Sequence, residues 1–140
     1  MSYHVFYNSN KEIAWSTNAD VSDQIKTEQA DAGFSYVHTD LVGLPTPDSH
    51  YVNDAGDTVL AKTAFTPTFS TVRPDVDAVI NVTGLPAGTK VYLDDVLQGT
   101  MSDTTLTLTA QEPGSYQIKF EKLDKLTYWQ KIITEKQSWM

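Results

Sequence analysis

The sequence predicts a mainly β chain: a small α+β N-terminal region followed by an antiparallel β-sandwich. From Ala78 onward, apolar residues alternate with Thr, Gln, Lys and Glu, the period of strands with one face in a core and one in water. Clusters of Gly, Pro and Asp interrupt this alternation about every 8–12 residues, the spacing of turns in a sandwich. Helical periodicity is confined to one short stretch near residues 21–32. A chain of 140 residues suffices for one average domain or two small ones, and 40% apolar with 11% aromatic residues supplies a core.

The first half begins with two short extended runs, His4-Val5-Phe6-Tyr7 and Glu12-Ile13-Ala14-Trp15-Ser16, joined by the polar Asn8-Ser9-Asn10-Lys11 as a hairpin. Asp20 then offers an N-cap with Asp23 three residues on, Val21 and Ile25 share a face, and Gly33 stands where a C′ glycine belongs. Phe34 to His38 returns to strand character. Gly43, Pro45 and Pro47 make residues 41–48 a loop. A second hairpin is expected from His50-Tyr51-Val52-Asn53 and Thr58-Val59-Leu60-Ala61 around Asp54-Ala55-Gly56-Asp57. Residues 66–75, with two prolines, read as a connector.

In the second half, strands are expected around Ile80 and Val82, around Val91 and Leu93, at Val96-Leu97, around Leu106 and Leu108, from Tyr116 to Phe120, and from Tyr128 to Glu135. Turns fall at Gly84 to Gly88, Asp94-Asp95, Gly99 to Asp103 and Pro113-Gly114. These boundaries give a small α+β docking domain over residues 1–66, a linker over 67–76, the sandwich over 77–136 and a tail over 137–140.

Composition excludes several classes of chemistry. There is no cysteine, which removes disulfides, thiolate nucleophiles and Cys-ligated zinc. The net charge of −8 argues against a nucleic-acid partner, since neutralising phosphates takes clustered Lys and Arg. No run of 18 apolar residues exists to form a membrane-spanning helix. The first residues, Met1-Ser2-Tyr3-His4-Val5, have neither the basic nor the apolar region of a secretion leader, so a protein ending outside a cell would leave by another route, of which lysis is one.

The residues that could carry chemistry read as structural. His4, His38 and His50 lack metal-ligand spacings, although His38 lies two residues before Asp40 and His50 two after Asp48. Asn53, Asp54 and Asp57 could offer oxygens to Ca²⁺, but lack the remainder of a calcium loop. Gly84-Leu85-Pro86-Ala87-Gly88-Thr89-Lys90 is one residue short of a phosphate loop and opens a strand. Asn81-Val82-Thr83 is a sequon by pattern alone. No catalytic residue, cofactor or metal is expected. The aromatics are left as candidate interface residues: Trp129, Trp139, Trp15 and Tyr7, because Trp and Tyr concentrate at interface centres.

Several strings in the second half carry a resemblance: Val82-Thr83-Gly84-Leu85-Pro86-Ala87-Gly88-Thr89, Val91-Tyr92-Leu93-Asp94-Asp95-Val96-Leu97-Gln98-Gly99, Leu106-Thr107-Leu108 and Pro113-Gly114-Ser115-Tyr116. Residues 79–135 resemble an immunoglobulin-like or PEGA-like module of tailed-bacteriophage virion proteins, with Asp95 where the PEGA-like pattern has glycine. The front, with Ile13-Ala14-Trp15 and His50-Tyr51-Val52-Asn53, resembles small phage tail proteins. The resemblance implies a non-enzymatic virion structural protein, a tail-associated connector, baseplate or fibre-attachment component. Its implied partners are copies of itself and other virion proteins of tail or capsid, with neither nucleic acid nor membrane. It would be made in the host cytoplasm and released by lysis. A capsid decoration protein and a host-glycan-binding module stacking sugars on Trp129, Trp139 or Tyr92 are the alternatives. A lytic enzyme would need His38, Asp40, Asp48 or His50 gathered in a cleft.

Overall fold

The computed structural model describes residues 2–134. The described residues are mainly β, with several antiparallel sheets and one helix, and the chain divides into two compact units, Met1–Thr63 and Ala64–Met140.

In the first unit, β1 (Ser2–Tyr7) is the centre of a three-stranded sheet between β2 (Ile13–Thr17) and β3 (Ser35–Asp40). The connection from β1 to β2 works through Asn8, whose side-chain oxygen accepts from the backbone N–H groups of Asn10 and Glu12. Both faces of β1 are covered. Val5 and Tyr7, with Ile13 and Val37, form a core with Val52 and Val59 of the hairpin β4 (His50–Val52) and β5 (Val59–Ala61). On the other face Phe6 is fully buried between Trp15 and Tyr36, with ring centroids 4.4 and 5.4 Å away. The helix α1 (Asp23–Asp31) lies on that side, where Trp15 Nε1 donates to Gln29 Oε1 at 3.0 Å.

This helix starts later than the expected residue 21. Ser22, not Asp20, is the N-cap, its hydroxyl accepting from Ile25 N–H. Serine and aspartate are comparable caps, so the sequence left the choice open. The C-terminus follows expectation. Gly33 (φ +95°) donates to Ala30 O and Phe34 to Gln29 O, the two bonds of a Schellman motif.

The hairpin turn between β4 and β5 is built from side chains. Asn53 Oδ1 accepts from Asp57 and Thr58 N–H, and the Asp57 carboxylate accepts from Asn53 Nδ2 at 2.8 Å and Thr58 Oγ1 at 2.9 Å. Asn53 and Asp57 are thus used within the turn. These donors hold the Asp57 carboxyl below the ordinary 3.8. A lowered carboxyl favours the folded turn above the ordinary carboxylate range and loses that contribution as pH falls through its depressed value. An NMR titration should therefore place the Asp57 midpoint below 3.8 in the native chain and return it toward 3.8 in Asn53→Ala. Equal midpoints in the two proteins would mean the hydrogen bonds do not hold the charge.

The second unit packs a three-stranded sheet, ordered β10-β7-β6, against a four-stranded one, ordered β12-β11-β8-β9. The strands are β6 (Thr68–Phe69), β7 (Val79–Thr83), β8 (Lys90–Leu93), β9 (Val96–Thr100), β10 (Leu106–Thr109), β11 (Gly114–Lys122) and β12 (Lys125–Thr134). The chain crosses from the first sheet to the second after β7, returns for β10 and crosses again for β11. That is the connectivity of an immunoglobulin-like sandwich. Ile80 and Val82 from one sheet meet Val91, Ile118, Phe120 and Ile132 from the other in a shared core. The Tyr116 hydroxyl donates to Glu112 O at 2.7 Å near the start of β11, the tyrosine corner typical of such sandwiches.

Residues 67–76, read as a linker, instead contribute to this unit. Thr68–Phe69 pairs with β7, Phe65 joins the core, and Phe69 stacks on Phe120 and Tyr128. The prolines flank a two-residue edge strand, where a missing N–H costs no ladder bond. The expected turn from Gly99 to Asp103 also shifts, because β9 runs on through Thr100, with an irregularity opposite Val91 and Tyr92. Gly84 turns the chain with φ +80°, and a Cβ there would lie 3.1 Å from Thr66 O. Gly84→Ala should cost at least about 1–2 kcal/mol, the left-handed penalty, before any steric contribution. It should lower the urea midpoint without changing the slope, and an unchanged midpoint would show that the loop relaxes freely.

Candidate interaction face

The four-stranded sheet turns Val91, Ile118, Phe120 and Ile132 inward, so the intervening residues face outward. The β8–β9 hairpin has Asp94 and Asp95 at φ +47° and +68°, the pair of positive values that a two-residue primed turn requires. Asp94 is anchored to β11, its carboxylate accepting from Gln117 N–H at 2.9 Å and its own N–H donating to Gln117 O. Here aspartate fills a position that glycine would take more cheaply.

The register then aligns four side chains across four strands: Leu97 pairs with Tyr92, Tyr92 with Lys119, and Lys119 with Trp129. Paired residues share a face, and Tyr92 and Trp129, two strands apart, lie roughly 9–10 Å from each other on strand spacing. Lys119 occupies the gap. Its ammonium is 4.3 Å from the Tyr92 ring centroid and 5.0 Å from that of Trp129, and it lies 3.6 Å from Asp95 and 3.9 Å from Glu121. The Asp95 carboxylate is mostly in water, so that ion pair adds little. The contribution of Lys119 is to hold both rings by cation–π attraction, about 0.5–1 kcal/mol each at an exposed site.

Around this row aromatic and aliphatic side chains stand among charges of both signs. Trp129 is 47% exposed and Leu97 51%. Lys90 stands opposite Glu121, and Lys131 opposite Gln117. Exposed aromatic residues with charged residues around them are a composition common to docking surfaces.

The other expected interface residues are placed differently. Trp15 is 36% exposed but stacks on Phe6 and hydrogen-bonds Gln29. Tyr7 is buried in the first unit's core, with its hydroxyl donating to Gly56 O at 3.2 Å. Trp139 lies outside the described residues. The alternation of β11 signals an outward Lys119, but nothing in the local sequence names Tyr92 and Trp129 as its neighbours.

The histidines have local partners. His4 Nδ1 is hydrogen-bonded to the Tyr36 hydroxyl and its ring lies 5.3 Å from that of His38, while His50 Nδ1 meets Ser49 Oγ at 2.7 Å. The Asp40 carboxylate accepts from the Ser2 hydroxyl at 2.8 Å. Among the described residues no group of three or more His, Asp or Glu could hold a metal ion, and no helix is long and apolar enough to cross a membrane. The chain matches no protein-family model, no curated protein and no solved structure.

Proposed function

We propose that the chain is a non-enzymatic structural protein that acts by docking and assembles in multiple copies. The observation that carries this reading is the outward row Leu97–Tyr92–Lys119–Trp129, in which Leu97 and Trp129 are about half exposed and Lys119 lies against both aromatic rings. In its finer form the proposal is a tail-associated virion component of a tailed phage, a connector, baseplate or fibre-attachment protein whose partners are other virion proteins. That finer form is supported by the sequence resemblance of residues 79–135 and of the front of the chain.

Immunogold electron microscopy of purified particles, with antibody raised against this chain, tests the location. Gold at the tail is the expected result. Gold over the head would replace this reading by capsid decoration, and particles without gold would remove the virion role. A host-glycan-binding module is the second reading, favoured by the two rings presented on one face. It requires retention on a polysaccharide matrix that is lost in Trp129→Ala.

A further inference from the structure

We infer that the outward face of the four-stranded sheet docks the acidic first unit of a second copy of this chain, along its α1 surface. The inference rests on the multi-copy reading above and names the partner.

Charge is distributed unevenly between the two units. The first carries nine acidic residues against three basic ones, the second nine against seven. Two of the first unit's three cations are drawn onto tyrosine rings, Lys11 over Tyr7 and Lys26 over Tyr36. Asp20, Asp23, Glu28 and Asp31, on α1 and its approach, are exposed, and so is Ile25 at 37%, with Glu28 one turn from it on the same side. The sheet face carries Lys90, Lys119 and Lys131 around Trp129, Tyr92 and Leu97, against Glu121 and the Asp95 carboxylate, both of which Lys119 already meets, which leaves a small positive excess. Pairing two first units face to face would oppose like charges. Joining the first unit of one copy to the sheet face of the next opposes unlike ones, with an apolar centre on the sheet and Ile25 to meet it. Such a contact is heterologous, joining different surfaces of the two copies.

Sedimentation velocity of the full chain tests this. Concentration-dependent association is expected at low ionic strength, weakening as salt screens the charges. Trp129→Ala should weaken it about tenfold or more, as loss of a central aromatic anchor does. The reversals Lys90→Glu with Lys131→Glu should weaken it, as should Glu28→Lys with Asp31→Lys. Combining both sets in one chain should restore it, a rescue that a folding defect would not produce. Far-UV spectra unchanged from wild type verify the fold.

A native chain that stays monomeric at every concentration overturns the inference, as does association indifferent to these reversals. A monomer retained on polysaccharide through Trp129 assigns the face to glycan instead and equally overturns it. The two proposals fail separately. Trp129→Ala chains incorporated normally into gold-labelled particles would sink the docking face and leave the virion role. Salt-sensitive, reversal-sensitive association by a chain found on no particle would do the opposite.

Discussion

Phe120→Ala is expected to remove about 3–5 kcal/mol from the second unit, the usual cost of deleting a buried aromatic ring. Phe120 has no exposed surface and is the hub of an aromatic group, with centroids 6.1 Å from Phe65, 6.1 Å from Phe69 and 5.8 Å from Tyr128. These partners come from the segment before β6, from β6 itself and from β12, so one deletion loosens both sheets. Domain stabilities of about 5–15 kcal/mol leave little beyond such a loss. Amide exchange should accelerate throughout β7, β8 and β11, and the denaturant midpoint should fall sharply. Phe120→Leu, which keeps most of the volume, should cost much less. A loss for the alanine variant under about 1 kcal/mol, in the range of surface substitutions, would be incompatible with a hub at this position.

Phe6→Ala should have a comparable effect in the first unit, again about 3–5 kcal/mol. The reason differs. Phe6 lies on a strand buried on both faces, and on its side the cover is thin: α1 has no buried residue and rests on the sheet through Gln29 and Lys26. Removing the ring that stacks on Trp15 and Tyr36 leaves that face little apolar contact. Amide protection should collapse in β1, β2 and β3, and Trp15 emission should shift to the red as the indole is hydrated. Retained protection across β1–β3 would mean that the opposite core, built on Val5, Val37 and Val52, suffices alone.

How much of this was legible in the sequence varies with the range of the interaction involved. The hairpins around Asn8 and around Asn53 to Asp57, and the glycine C-cap at Gly33, are written in a few adjacent residues, because a left-handed residue or a side-chain acceptor determines its own turn. At the start of α1 two equivalent caps compete, and Ser22 rather than Asp20 takes the position. Residues 67–76 were misread more seriously. Two prolines suggested a connector, and the phenylalanines flanking the first of them gave no local sign of the core they enter. Tyr7 is buried, not exposed as an interface residue would be: residue type alone does not distinguish an exposed aromatic ring from a buried one.

By itself the sequence determined the mainly β class, the helix α1, most turns and which side chains of each strand share a phase, all properties of contacts within a few residues. Only the tertiary structure decided which strands became neighbours. β8 and β11 are separated by twenty residues yet hydrogen-bond side by side, and this places Lys119 between Tyr92 and Trp129. The alternation of each strand is compatible with many partners and registers. The choice among them is made by the packing of Phe120, Ile118 and Val91 against the opposite sheet, an energy that exists only once distant segments meet.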